Sequence, residues 1–253
     1  MSVTAPSGFR AAGVAAGLKQ SGDPDVAIVV NDGPTHAAAG VFTANRFQAA
    51  PVRWTRQVLT AGRLRAVVLN SGGANACTGP DGFTDTHHTA EHAATMLQVG
   101  AGEIAVCSTG LIGERLDMSR LVPGVGEAHA ALSHDGGDAA ATAIMTTDTR
   151  PKQAARTVVT DDGVVTVGGM AKGAAMLAPS LATMLAVVTT DADVDAATLD
   201  GVLREATRTT FDRVDTDGCI STNDTVLLLA SGASGITPTS QALAEAVTAV
   251  CAD

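Results

Sequence analysis

The sequence predicts an α+β chain in which strands pack into sheets beneath outer helices. Three observations carry this. Short apolar runs recur along the chain, most clearly at 26–30, 64–70, 103–108 and 225–230. Between them lie longer stretches with apolar residues at helical spacing, such as 195–210 and 240–251. Of the 253 residues 45% are hydrophobic, enough for a buried core, which is built mostly from Ala, Val and Leu because there are five Phe, one Trp and no Tyr. Such a mixture fits layers of sheet covered by helix.

Taken in order, the run 11–18 behind Arg10 is interrupted by Gly13 and Gly17, and it is too short and too late for a secretion signal. Strands are expected at 26–30, 38–43, 64–70 and 103–108. A helix capped by Asp85 or Thr86 should run to about residue 99, with others at 119–134 and 137–145. Asp161-Asp162-Gly163 sits between the apolar runs 158–160 and 164–167 and reads as a hairpin turn. Two more apolar strands follow at 183–190 and 225–230, separated by the helix 195–210, and a helix at 240–251 comes last. There, Leu243, Val247 and Val250 share one face, and the helix stops in mid-pattern; the expectation is that the polypeptide is incomplete. The uncharged stretches 173–190 and 225–244 both contain Pro and several Ser, Thr or Gly, so neither is expected to span a membrane. A soluble cytoplasmic protein is expected.

A net charge of −10, no basic run and no aromatic platform argue against nucleic acid and anionic membrane surfaces as partners. Cys77, Cys107, Cys219 and Cys251 are dispersed with no Cys-x-x-Cys, which does not read as a zinc site or a disulfide framework and suggests buried thiols in a reducing compartment. His88 and His92 are four apart on a helix, beside His87, but Thr89 stands where the helical zinc motif needs Glu, so a solvated face is expected and no metal. Asp215-Thr216-Asp217-Gly218 starts like a calcium loop, yet its glycine falls fourth rather than sixth; a turn is the better reading.

The segment from Lys172 to Thr183 is the most informative for chemistry. No charge occurs from Gly173 to Thr190, and Thr183 opens an apolar run behind a small residue. Its hydroxyl is placed to attack the Ala182 carbonyl, split the chain and leave a free α-amine. That amine, with an ordinary pKa near ~8, is a base for the adjacent hydroxyl. A threonine in a strand is also common, so composition leaves both readings open. Lys172 is one of only three lysines, with Lys19 and Lys152, and stands between Gly169 and Gly173. It suits either a carboxylate ligand or a lysine snorkelling from a strand end. Asn70-Ser71-Gly72-Gly73-Ala74-Asn75-Ala76 lacks the spacing of a phosphate loop and reads as a structural turn or an acyl-group pocket. Ser108-Thr109-Gly110-Leu111-Ile112-Gly113 follows a strand; it is either a turn or a pair of oxyanion donors.

Together these segments resemble the ornithine acetyltransferase family, also called glutamate N-acetyltransferase. The likeness runs through residues 8–17, 69–79, 108–113, Met145-Thr146-Thr147-Asp148 and Ser221-Thr222-Asn223-Asp224-Thr225, and is most specific at 168–185. The resemblance implies an N-terminal-nucleophile-like sandwich of β-sheets with outer helices. It implies self-cleavage between Ala182 and Thr183, giving an α-chain region at 1–182 and the first part of a β-chain region at 183–253. The two chains would stay associated, as a heterotetramer of two α and two β. Thr183 would be the nucleophile, Thr109 and Gly110 the oxyanion hole, and Thr146, Lys172 and Thr183 the substrate contacts. The implied reaction is ping-pong transfer of acetyl from N-acetylornithine to glutamate in arginine biosynthesis, with acetyl-CoA a further donor in some members and no metal or bound cofactor. Family members continue beyond the point matching Asp253, where they supply a Glu and C-terminal ornithine-holding residues; this chain is therefore expected to have little or no transferase activity. An N-terminal-nucleophile amidohydrolase and an inactive fragment of the transferase are the alternatives.

Overall fold

The computed structural model describes residues 2–174, 183–214 and 220–253. The predicted turn at 215–218, Cys219 and the predicted cleavage partner Ala182 lie outside the described residues.

In chain order the elements are β1 (Phe9–Val14), β2 (Val26–Asn31), β3 (Ala38–Phe42), α1 (Ala50–Val58), β4 (Ala66–Asn70), α2 (Gly79–Leu97), β5 (Ile104–Ser108), α3 (Met118–Ala130), α4 (Gly137–Ala143), β6 (Lys152–Thr160), β7 (Gly163–Lys172), β8 (Leu185–Thr190), α5 (Ala196–Thr209), β9 (Thr225–Ala230) and α6 (Ser240–Ala252). The strands form two sheets, one in the order β1-β2-β4-β5 and the other β3-β9-β8-β7-β6. Each holds one parallel pair, β4 with β5 and β8 with β9. A helix joins the members of each pair, α2 in the first and α5 in the second, as parallel neighbours require.

The alternation of side chains explains the layering. In β8, Leu185 and Val187 pack with the first sheet's core, whereas Ala186 and Val188 pack with residues of α5 and α6. β9 repeats this: Leu227 and Leu229 on one side, Val226, Leu228 and Ala230 on the other. Both faces of these strands are covered, so they read as unbroken apolar runs rather than alternating ones. The result is two face-to-face sheets with helices outside, as expected.

Several boundaries differ from expectation. The second helix begins at Gly79, not near Asp85, with a proline in its first turn. Asp85 lies inside it, buried, and takes both Arg115 Nε and Nη2 at 2.9 and 2.8 Å. β6 is longer than 158–160 because its first half carries Lys152 and Arg156, which mask the strand pattern. The run read at 11–18 contributes an unforeseen strand, β1. Helix α1 was also unforeseen; it is anchored by Trp54, whose Nε1 donates to the Ile104 carbonyl at 2.9 Å. The hairpin at Asp161-Asp162 is present, with Thr160 paired to Gly163. Cys107 and Cys251 are buried as expected, but Cys77 is exposed: it follows the buried turn 70–76 at the mouth of α2.

Candidate active site

Strand register brings the predicted residues together. Lys172 at the end of β7 pairs with Leu185 at the start of β8, and Leu185 pairs with Thr225 at the start of β9. Thr183 and the segment 221–224 therefore lead into adjacent strands at the same edge of the second sheet. From the first sheet, β5 delivers Thr109, which bridges to Gly73 of the turn following β4.

Lys172 is 1% exposed, and its Nζ donates to Thr146 Oγ1 at 2.7 Å and Thr109 Oγ1 at 3.3 Å. An ammonium has only protons to give, so both hydroxyl oxygens act as acceptors here and each keeps its own proton to donate elsewhere. That is the state an oxyanion donor needs. Burial pulls the Lys172 ammonium down to about 8, outweighing the attraction of Asp148.

Asp148, to which sequence reasoning gave no role, organises this corner. Its Oδ1 accepts from Lys152 Nζ at 2.5 Å and from the Gly173 N–H at 2.8 Å. Its Oδ2 accepts from the Thr146 N–H at 3.2 Å and lies 3.8 Å from Lys172 Nζ. Burial alone would raise its pKa, but Lys152 and the Gly173 and Thr146 N–H groups win, and the carboxyl is held below its ordinary value.

Gly110 has a φ of +133°, and a Cβ there would stand 2.7 Å from the Gly73 nitrogen. Only glycine lets the two loops touch. The glycine-rich turn at 70–76 is thus a structural support: Asn70 Nδ2 donates to the Gly73 carbonyl at 3.0 Å and Asn70 Oδ1 accepts from Ser108 Oγ at 2.5 Å.

Thr183 is 7% exposed, and its Oγ1 lies 3.0 Å from Ser221 Oγ. The next residue, Met184, donates its N–H to Asp224 Oδ1 at 2.8 Å. Asn223 ties this segment to the loops around Ala74 and Thr109 through Nδ2, which donates to the carbonyls of Ala74 at 2.7 Å and Ser108 at 2.9 Å. Ser221, Asn223 and Asp224 had entered only as part of a family likeness; a run of small polar residues directly before an apolar strand was the one signal available.

Lys172, Thr183, Ser221 and Asp224 line a cleft of about 1230 Å³, with Phe42 and Phe211 on its wider walls. A smaller hollow of about 190 Å³ between Phe47, Arg53 and Cys77 holds none of the predicted residues. His87 and His88 are exposed and His92 half-buried, and no metal-binding group occurs among the described residues. No helix among the described residues is long and apolar enough to cross a membrane.

Comparison with known proteins adds four findings. The sequence pattern of the ArgJ family matches residues 10–253. The arginine biosynthesis bifunctional protein ArgJ of Streptomyces coelicolor is 66% identical over the whole chain, which spans 65% of that protein's length. Among solved structures, ornithine acetyltransferase from Mycobacterium tuberculosis, complexed with ornithine, is 63% identical with a TM-score of 0.66, covering 71% of this chain and 95% of that one. At the level of fold alone, the L-aminopeptidase D-Ala-esterase/amidase of Ochrobactrum anthropi, a variant of the Ntn hydrolase fold, covers 99% of this chain and 84% of its own at 14% identity and a TM-score of 0.57. The N-terminal-nucleophile-like sandwich expected from the sequence is the fold found.

Proposed function

The chain belongs to the ArgJ family, and on that premise we propose that its site moves acetyl from N-acetylornithine to glutamate through an ester on Thr183. The observation that carries this reading is the buried Lys172 ammonium, held by Thr109 and Thr146 in the cleft that Thr183 lines. Donor and acceptor share an α-carboxylate, and a desolvated ammonium is the group to bind it. Thr183 splits one acyl transfer into two easier steps. Its hydroxyl attacks the acetyl carbonyl, ornithine leaves with a proton, and glutamate's amine then takes the acetyl from the ester. The Thr109 hydroxyl and Gly110 N–H would receive the oxyanion in each half-reaction.

The nucleophile becomes available by cleavage between Ala182 and Thr183, dividing the chain into regions 1–182 and 183–253. An assembly of two α and two β chains in the cytoplasm, with acetyl-CoA as a further donor and no bound cofactor, completes the reading. These are activities of the whole family protein, of which the chain spans about two thirds. The test has two parts. Thr183→Ala should stay a single uncut chain by intact mass, whereas the native protein gives two. In a protein of full family length, ornithine release from N-acetylornithine should increase with added glutamate; release indifferent to glutamate would mark a hydrolase instead.

A further inference from the structure

Before the chain is cut, the nitrogen of Thr183 is an amide and has no basic lone pair. The α-amine that can later activate the hydroxyl does not yet exist, so the first cut needs another base. The surroundings of Thr183 hold one. Its Oγ1 is 3.0 Å from Ser221 Oγ. That oxygen already accepts the Asn223 N–H at 3.0 Å, which fixes its orientation. The Asp224 carboxylate lies near enough to the Ser221 hydroxyl for that hydroxyl to favour its charged form. Asp224 is itself held to the strand by the Met184 N–H at 2.8 Å. Thr183 and Ser221 are only 7% and 4% exposed, so bulk water is poorly placed to take the proton. Lys172 makes its hydrogen bonds to Thr109 and Thr146 instead.

We infer that Ser221 and Asp224 form the proton relay for self-cleavage, Asp224 as the base and Ser221 as the carrier; this rests on the reading of Thr183 as nucleophile. The Thr183 Oγ1 proton passes to Ser221 Oγ while the Ser221 proton passes to the Asp224 carboxylate. Oγ1 bonds to the carbonyl carbon of residue 182 as the peptide C–N bond breaks. The departing nitrogen takes the proton back along the same path and becomes the α-amine. Water then hydrolyses the ester, restoring the Thr183 hydroxyl and leaving a carboxylate on residue 182. Burial raises the Asp224 carboxyl against the opposing effects of the Met184 N–H, Ser221 and Lys172, which makes it a better base than an exposed aspartate.

The experiment follows the freshly made 253-residue chain by intact mass over time, beside Asp224→Asn, Ser221→Ala, Ser221→Thr and Thr183→Ala. Asp224→Asn keeps an oxygen for the Met184 N–H, and circular dichroism checks the fold of each variant. Asp224→Asn and Ser221→Ala should cut about 10²-fold more slowly or worse, and Ser221→Thr should recover most of the native rate. Hydroxylamine, which attacks the ester, should not rescue the two slow variants, because their defect precedes the ester. The pH profile separates a base from a structural prop. Lys172 on β7 is the charged group that bears on Asp224, with Asp148 and Lys152 behind it. Through the near-neutral range native cleavage should vary far less steeply with pH than Asp224→Asn, which should rise about tenfold per pH unit as hydroxide replaces the lost base. Equal rates for native and folded Asp224→Asn would overturn the relay and leave the nucleophile standing. Cleavage of Thr183→Ala at the same bond would overturn the nucleophile reading instead, and a native chain that stays intact would overturn both.

Discussion

Replacing Lys172 by methionine should make the protein more stable at neutral pH while removing the group proposed to bind substrate. The side chain is 1% exposed, and its ammonium is pulled from 10.5 to about 8, burial outweighing Asp148. Each pH unit is worth about 1.4 kcal/mol, so the charged lysine costs the folded state about 3 kcal/mol. The sign follows from proton counting. Between about 8 and 10.5 the unfolded chain carries the proton and the folded one does not, so native stability rises with pH across that window and the cost is full below it. Methionine fills a similar volume without the charge. Losing the contacts to Thr109 and Thr146 offsets about 1 kcal/mol each. Asp148 keeps Lys152 and two backbone N–H groups. The net expectation is K172M more stable by about 1 kcal/mol at pH 7, its lead shrinking by about 1.4 kcal/mol per pH unit above 8 and reversing before 10.5. Urea denaturation of both proteins at pH 7, 9 and 10 measures this. A difference that does not vary with pH would refute the account of Lys172 as a desolvated cation, whatever its sign.

Two further outcomes follow from the loops around it. Gly110→Ala should cost about 2–4 kcal/mol through its positive φ and the approach to Gly73, whereas Gly102→Ala, with open space at its Cβ, should change stability by less than about 0.5 kcal/mol; equal midpoints for the two would sink the close-approach explanation. Asn223→Ala strands the carbonyls of Ala74 and Ser108, and at about 1–3 kcal/mol for each unsatisfied group the loss should reach at least 2 kcal/mol in chemical denaturation; a smaller loss would mean that those carbonyls find other partners.

Elements that are uniformly apolar and sharply bounded were legible from sequence. β9 begins and ends where Thr225 and Ala230 suggested, and α5 falls within the expected helix 195–210, capped by Asp195, which accepts from the Thr198 N–H. Elements were lost where local chemistry misleads. Asp85 looks like a cap because a carboxylate at a helix start is common, yet its charge is there for Arg115. The start of β6 hides behind Lys152 and Arg156, whose charges serve partners off the strand: Lys152 turns back to Asp148 four residues earlier, and Arg156 pairs with Asp253 far along the chain. The site divides similarly. Thr109, Gly110, Lys172 and Thr183 stood out by residue type and position with alternatives left open, Thr146 came from likeness to a family, and Lys172 is in direct hydrogen-bond contact with Thr109 and Thr146. Asp148, Asn223 and Asp224 serve by touching backbone atoms of other segments, and no spacing along the chain announces such contacts.

The strand order of the second sheet, β3-β9-β8-β7-β6, has a consequence for any break between residues 182 and 183. Two interior strands, β9 and β8, would belong to the later piece, and the strands flanking them, β3 on one side and β7 on the other, to the earlier one. The pieces would be interleaved within one hydrogen-bonded ladder, joined along β3–β9 from Ala38 to Phe42 and along β7–β8 from Val167 to Lys172. A nick of this kind severs a covalent link without freeing either half. Neither piece made separately would have a complete sheet: one would carry a slot two strands wide, the other a bare ribbon with both edges open to aggregation. Cutting after folding is then the only order of events that never exposes those edges.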